Sequence, residues 1–168
     1  MATTAAQRTQ VSQLYVALFG RAPDAEGLNY WAGLLDGGTT AQQVANVMFG
    51  TTPARTYYPS NFSNEQIIAA FYQNVLGRPA DKGGLDYWTG QLAAPNASFG
   101  TVVVRMIDVV ANYIKPDSSA LSQQGDDSKN LFNNRTSVAQ YYCEKGGNVG
   151  NATNVLTSVT KDSSSVAP

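Results

Sequence analysis

Histidine is absent from the chain, and with it the commonest general base and metal ligand. Cysteine occurs once, as Cys143. That excludes an intrachain disulfide and a Cys–His nucleophile, and it leaves the thiol reading as a small buried apolar side chain. Charge is scarce: Asp, Glu, Lys and Arg are 14% of 168 residues, against roughly 25% in an ordinary globular domain. The net charge is −1 and no block of one sign stands out. This excludes nucleic acid, which needs a basic footprint, and an anionic membrane surface, which needs clustered Lys and Arg. No apolar run approaches the ~20 residues of a bilayer span, so no transmembrane insertion is expected. Residues 1–7 lack the basic start and apolar core of a secretory signal. No G-x-S-x-G, P-loop or dinucleotide fingerprint occurs, and Asp36, Asp86 and Asp108 have no carboxylate partner at helical spacing. The chain reads as non-catalytic.

What the chain does have is an internal repeat. Leu18-Phe19-Gly20-Arg21-Ala22-Pro23-Asp24-Ala25-Glu26-Gly27-Leu28-Asn29-Tyr30-Trp31 returns 57 residues later around Gly77-Arg78-Pro79-Ala80-Asp81-Lys82-Gly83-Gly84-Leu85-Asp86-Tyr87-Trp88. Gly20, Arg21, Asp24, Gly27, Leu28, Tyr30 and Trp31 match Gly77, Arg78, Asp81, Gly84, Leu85, Tyr87 and Trp88 without a gap. A repeat of this quality sets the architecture.

The hydrophobic periodicity is helical throughout. Val11, Leu14, Tyr15 and Leu18 predict a helix over residues 4–19, stopped at Gly20. Asp24 caps the next, which carries the stripe Leu28, Trp31 and Leu35. Thr40 to Gln43 and Ser63 to Gln66 have the form of capping boxes that open two further helices. Asp81 caps a helix with the stripe Leu85, Trp88 and Leu92. Val102, Val103, Met106, Val109, Val110 and Tyr113 predict a helix, with a strand as the alternative for so β-branched a run. Leu131, Val138, Tyr141 and Tyr142 mark another, and Val155, Leu156 and Val159 a short last one. Residues 51–62 and 116–129 read as loops, the second with a frayed turn. The expected fold is all-α: a first repeat unit over residues 1–61, a second over 62–115, and a helical extension over 116–161. A Ser-rich linker or tail over 162–168 makes the chain read as the N-terminal part of a longer protein.

Within the repeat, Gly20 and Gly77 suit left-handed C-caps and Asp24 and Asp81 suit N-caps. Arg21 and Arg78, three residues before the aspartates, can reach the carboxylates or the orphan carbonyls of the preceding helix. The expectation is a turn brace, with a ligand site as the alternative. Gly27 and Gly84 cost helix stability in the first turn, which implies that another backbone packs there. Trp31 and Trp88 read as core, with sugar stacking as the alternative. Tyr57, Tyr58 and Phe62, in a predicted loop, are the candidate ligand or partner contacts. Asp117, Asp126 and Asp127 are the candidate ligands for calcium, although no D-x-D-x-D-G loop exists and a solvated acidic loop is the competing reading. The N-x-S/T triplets at Asn61, Asn96, Asn134 and Asn151 carry little weight in so Asn-, Ser- and Thr-rich a chain.

The repeated G-R-x-P-D-x-x-G-L-x-Y-W pattern resembles domain-of-unknown-function family 4214, found in bacterial S-layer proteins and large type I-secreted proteins, often beside calcium-binding repeats. The resemblance covers residues 11–48 and 67–106, and residues 131–142 and 154–160 resemble the segment that follows such repeats. Arg78-Pro79-Ala80-Asp81 shifts the proline by one and keeps Arg and Asp in place. The resemblance implies export through a C-terminal signal, an extracellular place on the bacterial cell surface, attachment to surface polysaccharide or lipopolysaccharide, and self-association. It implies no catalytic residues. A weaker similarity of the turn is to phycobilisome linker domains, which are helical interaction modules. Three functions compete: an anchor of a surface layer or adhesin, a protein–protein module of a lattice or filament, and an accessory domain of a polysaccharide-modifying enzyme.

Overall fold

The computed structural model describes residues 2–166, and the described residues form helices joined by short turns, with no strand. The fold is all-α, as the periodicity predicts. Residues 167 and 168 of the expected tail lie outside the described range.

The first unit opens with α1 (Ala5–Phe19). Its cap is a full box: the Thr4 hydroxyl accepts the Gln7 N–H, and the Gln7 side chain accepts the Thr4 N–H at 2.7 Å. Gly20 ends it in the left-handed region, with φ 60°. α2 (Ala25–Asp36) follows, capped by Asp24, then α3 (Ala41–Phe49), opened by the Thr40–Gln43 box. A short α4 (Thr52–Tyr57) occupies half of the stretch expected to be a loop. Its prolines misdirect the reading: Pro53 sits in the first turn, where the missing N–H costs nothing, and only Pro59 lies beyond its end.

The second unit repeats the plan. α5 (Asn64–Phe71) is opened by the Ser63–Gln66 box and runs into a π-turn over Tyr72–Leu76, which Gly77 ends at φ 68°. α6 (Lys82–Ala93) is capped by Asp81, and α7 (Phe99–Ala111), a helix rather than a strand, by Ser98. Then comes α8 (Ala120–Glu144), 25 residues long, which takes in most of the segment expected to be loop. Gly125-Asp126-Asp127 looks like a breaker. In the structure Gly125 is a helical residue against which the Tyr113 ring lies, and a Cβ there would collide with that ring. A 3₁₀ turn (Val149–Asn151), α9 (Asn154–Thr157) and a second 3₁₀ turn (Ser163–Val166) complete the described chain. That last turn packs on α8, so the described part of the expected linker is folded.

One continuous core joins both units and the extension. α1 is its centre: from Val11 to Phe19 all but Gln13 are buried, because α2, α3, α4 and α8 all pack on this helix. The two units meet where α3 packs along α7. There Asn46 of α3 clasps the start of α7: its Oδ1 accepts the Gly100 N–H at 2.6 Å and its Nδ2 donates to Ser98 Oγ at 3.1 Å. α8 closes the bundle, burying Phe132, Ala139 and Cys143.

Candidate functional site

The two copies of the repeated turn fold into nearly the same object. In the first, the Asp24 carboxylate accepts the Gly27 N–H at 2.9 Å and stands 3.8 Å from Arg21 Nη1. In the second, Asp81 accepts the Gly84 N–H at 2.9 Å and stands 3.6 Å from Arg78 Nη1. The backbone N–H of Gly84 is the main reason that the Asp81 carboxyl is held below its ordinary range. Each guanidinium also lies over a tyrosine ring of the preceding helix, Arg21 over Tyr15 at 5.1 Å and Arg78 over Tyr72 at 5.2 Å.

These tyrosines explain the glycines. A Cβ at Gly27 would collide with the Tyr15 hydroxyl, and one at Gly84 with the Tyr72 hydroxyl. What packs there is a side-chain hydroxyl, not the backbone that the sequence implies. Burial raises both tyrosine pKa values, while Arg21 and the Trp31 side chain pull the first down, and Arg78 and the Trp88 side chain the second. Tyr, Gly, Arg, Asp and Trp thus form one interlocked turn in each unit. Both turns are docking points for the C-terminal extension: Ala22 N–H donates to the Ala152 carbonyl at 2.9 Å, and Arg78 Nε donates to Ser128 Oγ at 2.9 Å.

The same turn holds a second aromatic outward. Trp31 packs against the core and Trp88 is buried, 9% exposed. Their neighbours Tyr30 and Tyr87 are 60% and 51% exposed. The ring geometry is nearly identical in the two copies: Tyr30 stands on Trp31 at 5.0 Å and 78°, and Tyr87 on Trp88 at 4.9 Å and 78°. Each exposed ring is therefore mounted on an anchored one. Neither tyrosine is among the contact candidates that the sequence suggests. The signal is nonetheless there, since the stripe Leu28, Trp31, Leu35 leaves position 30 on another face of the helix.

The sequence-derived contact cluster does not stay together. Tyr58 is 0% exposed, and its hydroxyl donates to the Ala17 carbonyl at 2.8 Å. That corrects its assignment as a surface contact: once α4 forms, the residue after it turns into the core beside Phe49 and Phe99. Tyr57 is half-buried with its hydroxyl close to Gly20, and Phe62 is half-buried too.

The candidate calcium ligands also part. Asp117 accepts the Ser119 N–H at 2.9 Å and the Ser122 hydroxyl at 2.6 Å, bracing the start of α8. Asp127 accepts from Gln123 at 2.9 Å and pairs with Lys161 at 3.0 Å. Among the described residues no group of three or more Cys, Asp or Glu converges as metal ligands. The reading of Asp117, Asp126 and Asp127 as one site is corrected by the helix that runs through 126 and 127. The bonds from Ser119 and Ser122 hold the Asp117 carboxyl down to about 2, below its ordinary 3.8. A depressed carboxylate stabilises above its unfolded pKa and loses that contribution as pH falls through the folded one. The Ser119 and Ser122 amide shifts should therefore titrate with a midpoint near 2, and α8 should fray at its start below it. A midpoint at 3.8, or an unchanged titration in Asp117→Asn, contradicts the brace.

The family described as Domain of unknown function (DUF4214) matches residues 2–53 and, in a second copy, residues 45–108. The chain belongs to this DUF4214 family. The two DUF4214 copies overlap at the end of α3, so the helix that joins the units in space is shared by them in sequence. No curated protein and no solved structure matches the chain. Among the described residues no helix is long and apolar enough to cross a membrane.

Proposed function

We propose that this chain is a non-catalytic cell-surface module of a secreted bacterial protein, and that it attaches a surface layer or adhesin to surface polysaccharide. The observation that carries the reading is the repeated pair Tyr30 and Tyr87, exposed at equivalent positions and fixed in the same geometry on an anchored tryptophan. A sugar offers a face of C–H bonds that stacks on an aromatic ring, and hydroxyls that suit an uncharged polar surround. Low charge and abundant Ser, Thr and Asn supply that surround. A ring already held by its neighbour loses little freedom on binding.

The test is a pull-down of the purified chain on bacterial cells before and after extraction of lipopolysaccharide. Stripped cells should retain little protein. Tyr30→Ala and Tyr87→Ala should each weaken binding by about 1–2 kcal/mol, roughly 5–30-fold, without lowering Tm. Equal capture on stripped cells would sink the glycan reading. Concentration-dependent light scattering that both substitutions abolish would move the tyrosines to the lattice-assembly alternative.

A further inference from the structure

A second feature, independent of the tyrosine platforms, lies where α9, α4 and the π-turn converge on α8. A cavity of about 170 Å³ opens there, and Tyr57, Asn74, Arg135, Thr153 and Thr157 are among its walls. Among the described residues Arg135 is its one charged wall, and no carboxylate lines it. Among the described residues Arg135 has no ion-pair partner, and its hydrogen bond runs from Nη1 to the Asn74 carbonyl at 3.2 Å. Its Nε is shut off from solvent with no acceptor. A guanidinium carries five donors and keeps its charge; Nε has no surface toward the cavity, so the Nη donors not spent on the Asn74 carbonyl are the ones left for a ligand there. Burial pulls its pKa down, the expected sign for a cation without compensation.

Such a charge is costly in a fold that has no need of it. A methionine or leucine of similar reach would fill the same space without the desolvation penalty. The salt bridges among the described residues all involve other cations, so this one is not consumed by the braces. The hydroxyls of Tyr57 and Thr153 add neutral donors on other walls of the same cavity, while the Thr157 hydroxyl gives its hydrogen to the Asn154 carbonyl at 2.8 Å and serves only as wall. Cation, hydroxyl donors and absence of acids are the donor set that an oxyanion requires. The volume lies below the ~300–1,000 Å³ of a drug-sized site. It suits one small charged group.

We propose that this cavity is a binding site for a single oxyanion, a carboxylate or phosphate, with Arg135 as the charged contact and Tyr57 as the principal neutral donor. The group arrives either as a free anion or as the acidic substituent of a larger molecule.

Thermal shift and amide NMR titration of the intact chain with inorganic phosphate, glucuronate and neutral glucose decide it. Phosphate should raise Tm and move the amides around Asn74, Arg135 and Thr157, and glucose should do neither. A response to glucuronate as strong as that to phosphate assigns the acidic substituent of a sugar, and a response to phosphate alone assigns a phosphoryl group or the free ion. Arg135→Met should fold with unchanged or higher Tm and bind phosphate roughly ten- to a hundredfold more weakly, the worth of charge-assisted hydrogen bonds. Tyr57→Phe, which removes only a hydroxyl, should weaken phosphate by about fivefold, the lower value of a neutral bond, and it keeps the test decisive if Arg135→Met fails to fold. No response to phosphate or glucuronate, an equal response to glucose, or full phosphate binding by the folded Arg135→Met protein overturns the proposal.

Discussion

Gly100→Ala should unfold the chain at a markedly lower temperature, with a cost of about 3 kcal/mol and a drop in Tm of roughly 6–12 °C. Gly100 sits in the first turn of α7, buried where α7 approaches α3. A Cβ built there falls far inside contact distance of the Gln42 backbone carbonyl, and at 2.9 Å from the Asn46 side-chain carbon. Backbone cannot rotate out of the way as a side-chain end can, so the two helices have to separate. Separation also breaks the clasp in which Asn46 accepts the Gly100 N–H and holds Ser98. The effect is specific to close approach, and the chain carries its own control. At Gly33 and Gly90, equivalent positions in α2 and α6, a Cβ would have nothing within 4 Å. Ala at either should stabilise by about 0.5–1 kcal/mol, through helix propensity and a less flexible unfolded chain. Thermal unfolding of the three single variants is the measurement. Equal changes at positions 90 and 100 would mean that the units are not held together by the α3–α7 contact.

How much of the fold is legible in the sequence follows from how local each signal is. Caps, capping boxes and left-handed glycines are set by residues three or four apart, and Asp24, Thr40, Ser63, Asp81, Gly20 and Gly77 all stand where that logic puts them. The repeat carries the architecture and the family, because like sequence in one chain builds like units. The helix α4 and the first part of α8 escape the sequence reading for a common reason. Pro53 and Gly125 read as breakers, yet one sits where a proline is harmless and the other where a ring from α7's C-terminal side needs the space. Both facts depend on the fold. Tyr58 is misplaced because its burial follows from α4, and Asp126 and Asp127 are grouped with Asp117 because a loop would let them converge. Arg135 sends no local signal at all. Its interest lies in having no carboxylate beside it in the cavity among the described residues, and only the packed chain shows that.

Gly27→Ala should cost about 2 kcal/mol, and Tyr15→Phe in the same chain should return about half of it. The hydroxyl of Tyr15 occupies the space that a Cβ at position 27 would take, while the nearest ring carbon lies 3.3 Å away, close to ordinary contact. Phenylalanine keeps the ring under Arg21 and against Phe19, at 5.0 Å in edge contact, and removes only the clashing oxygen. Tyr15→Phe alone should cost about 1 kcal/mol, since the Trp31 side chain loses the hydroxyl as its polar neighbour. The double variant should then be as stable as Tyr15→Phe alone or slightly more so, because alanine is the better helix former at position 27. The coupling between the two sites is therefore about 2 kcal/mol in favour of the pair, well outside the ~0.3–0.5 kcal/mol within which independent sites add. Urea unfolding of the four proteins yields that number directly, and Tyr72 with Gly84 should reproduce it in the second unit, where the same hydroxyl faces the same glycine. Additive costs in either unit would mean that the glycine answers to something other than the tyrosine. The Arg21 guanidinium over the Tyr15 ring and the Trp31 ring beneath the exposed Tyr30 would then be separate contacts rather than parts of one interlocked turn.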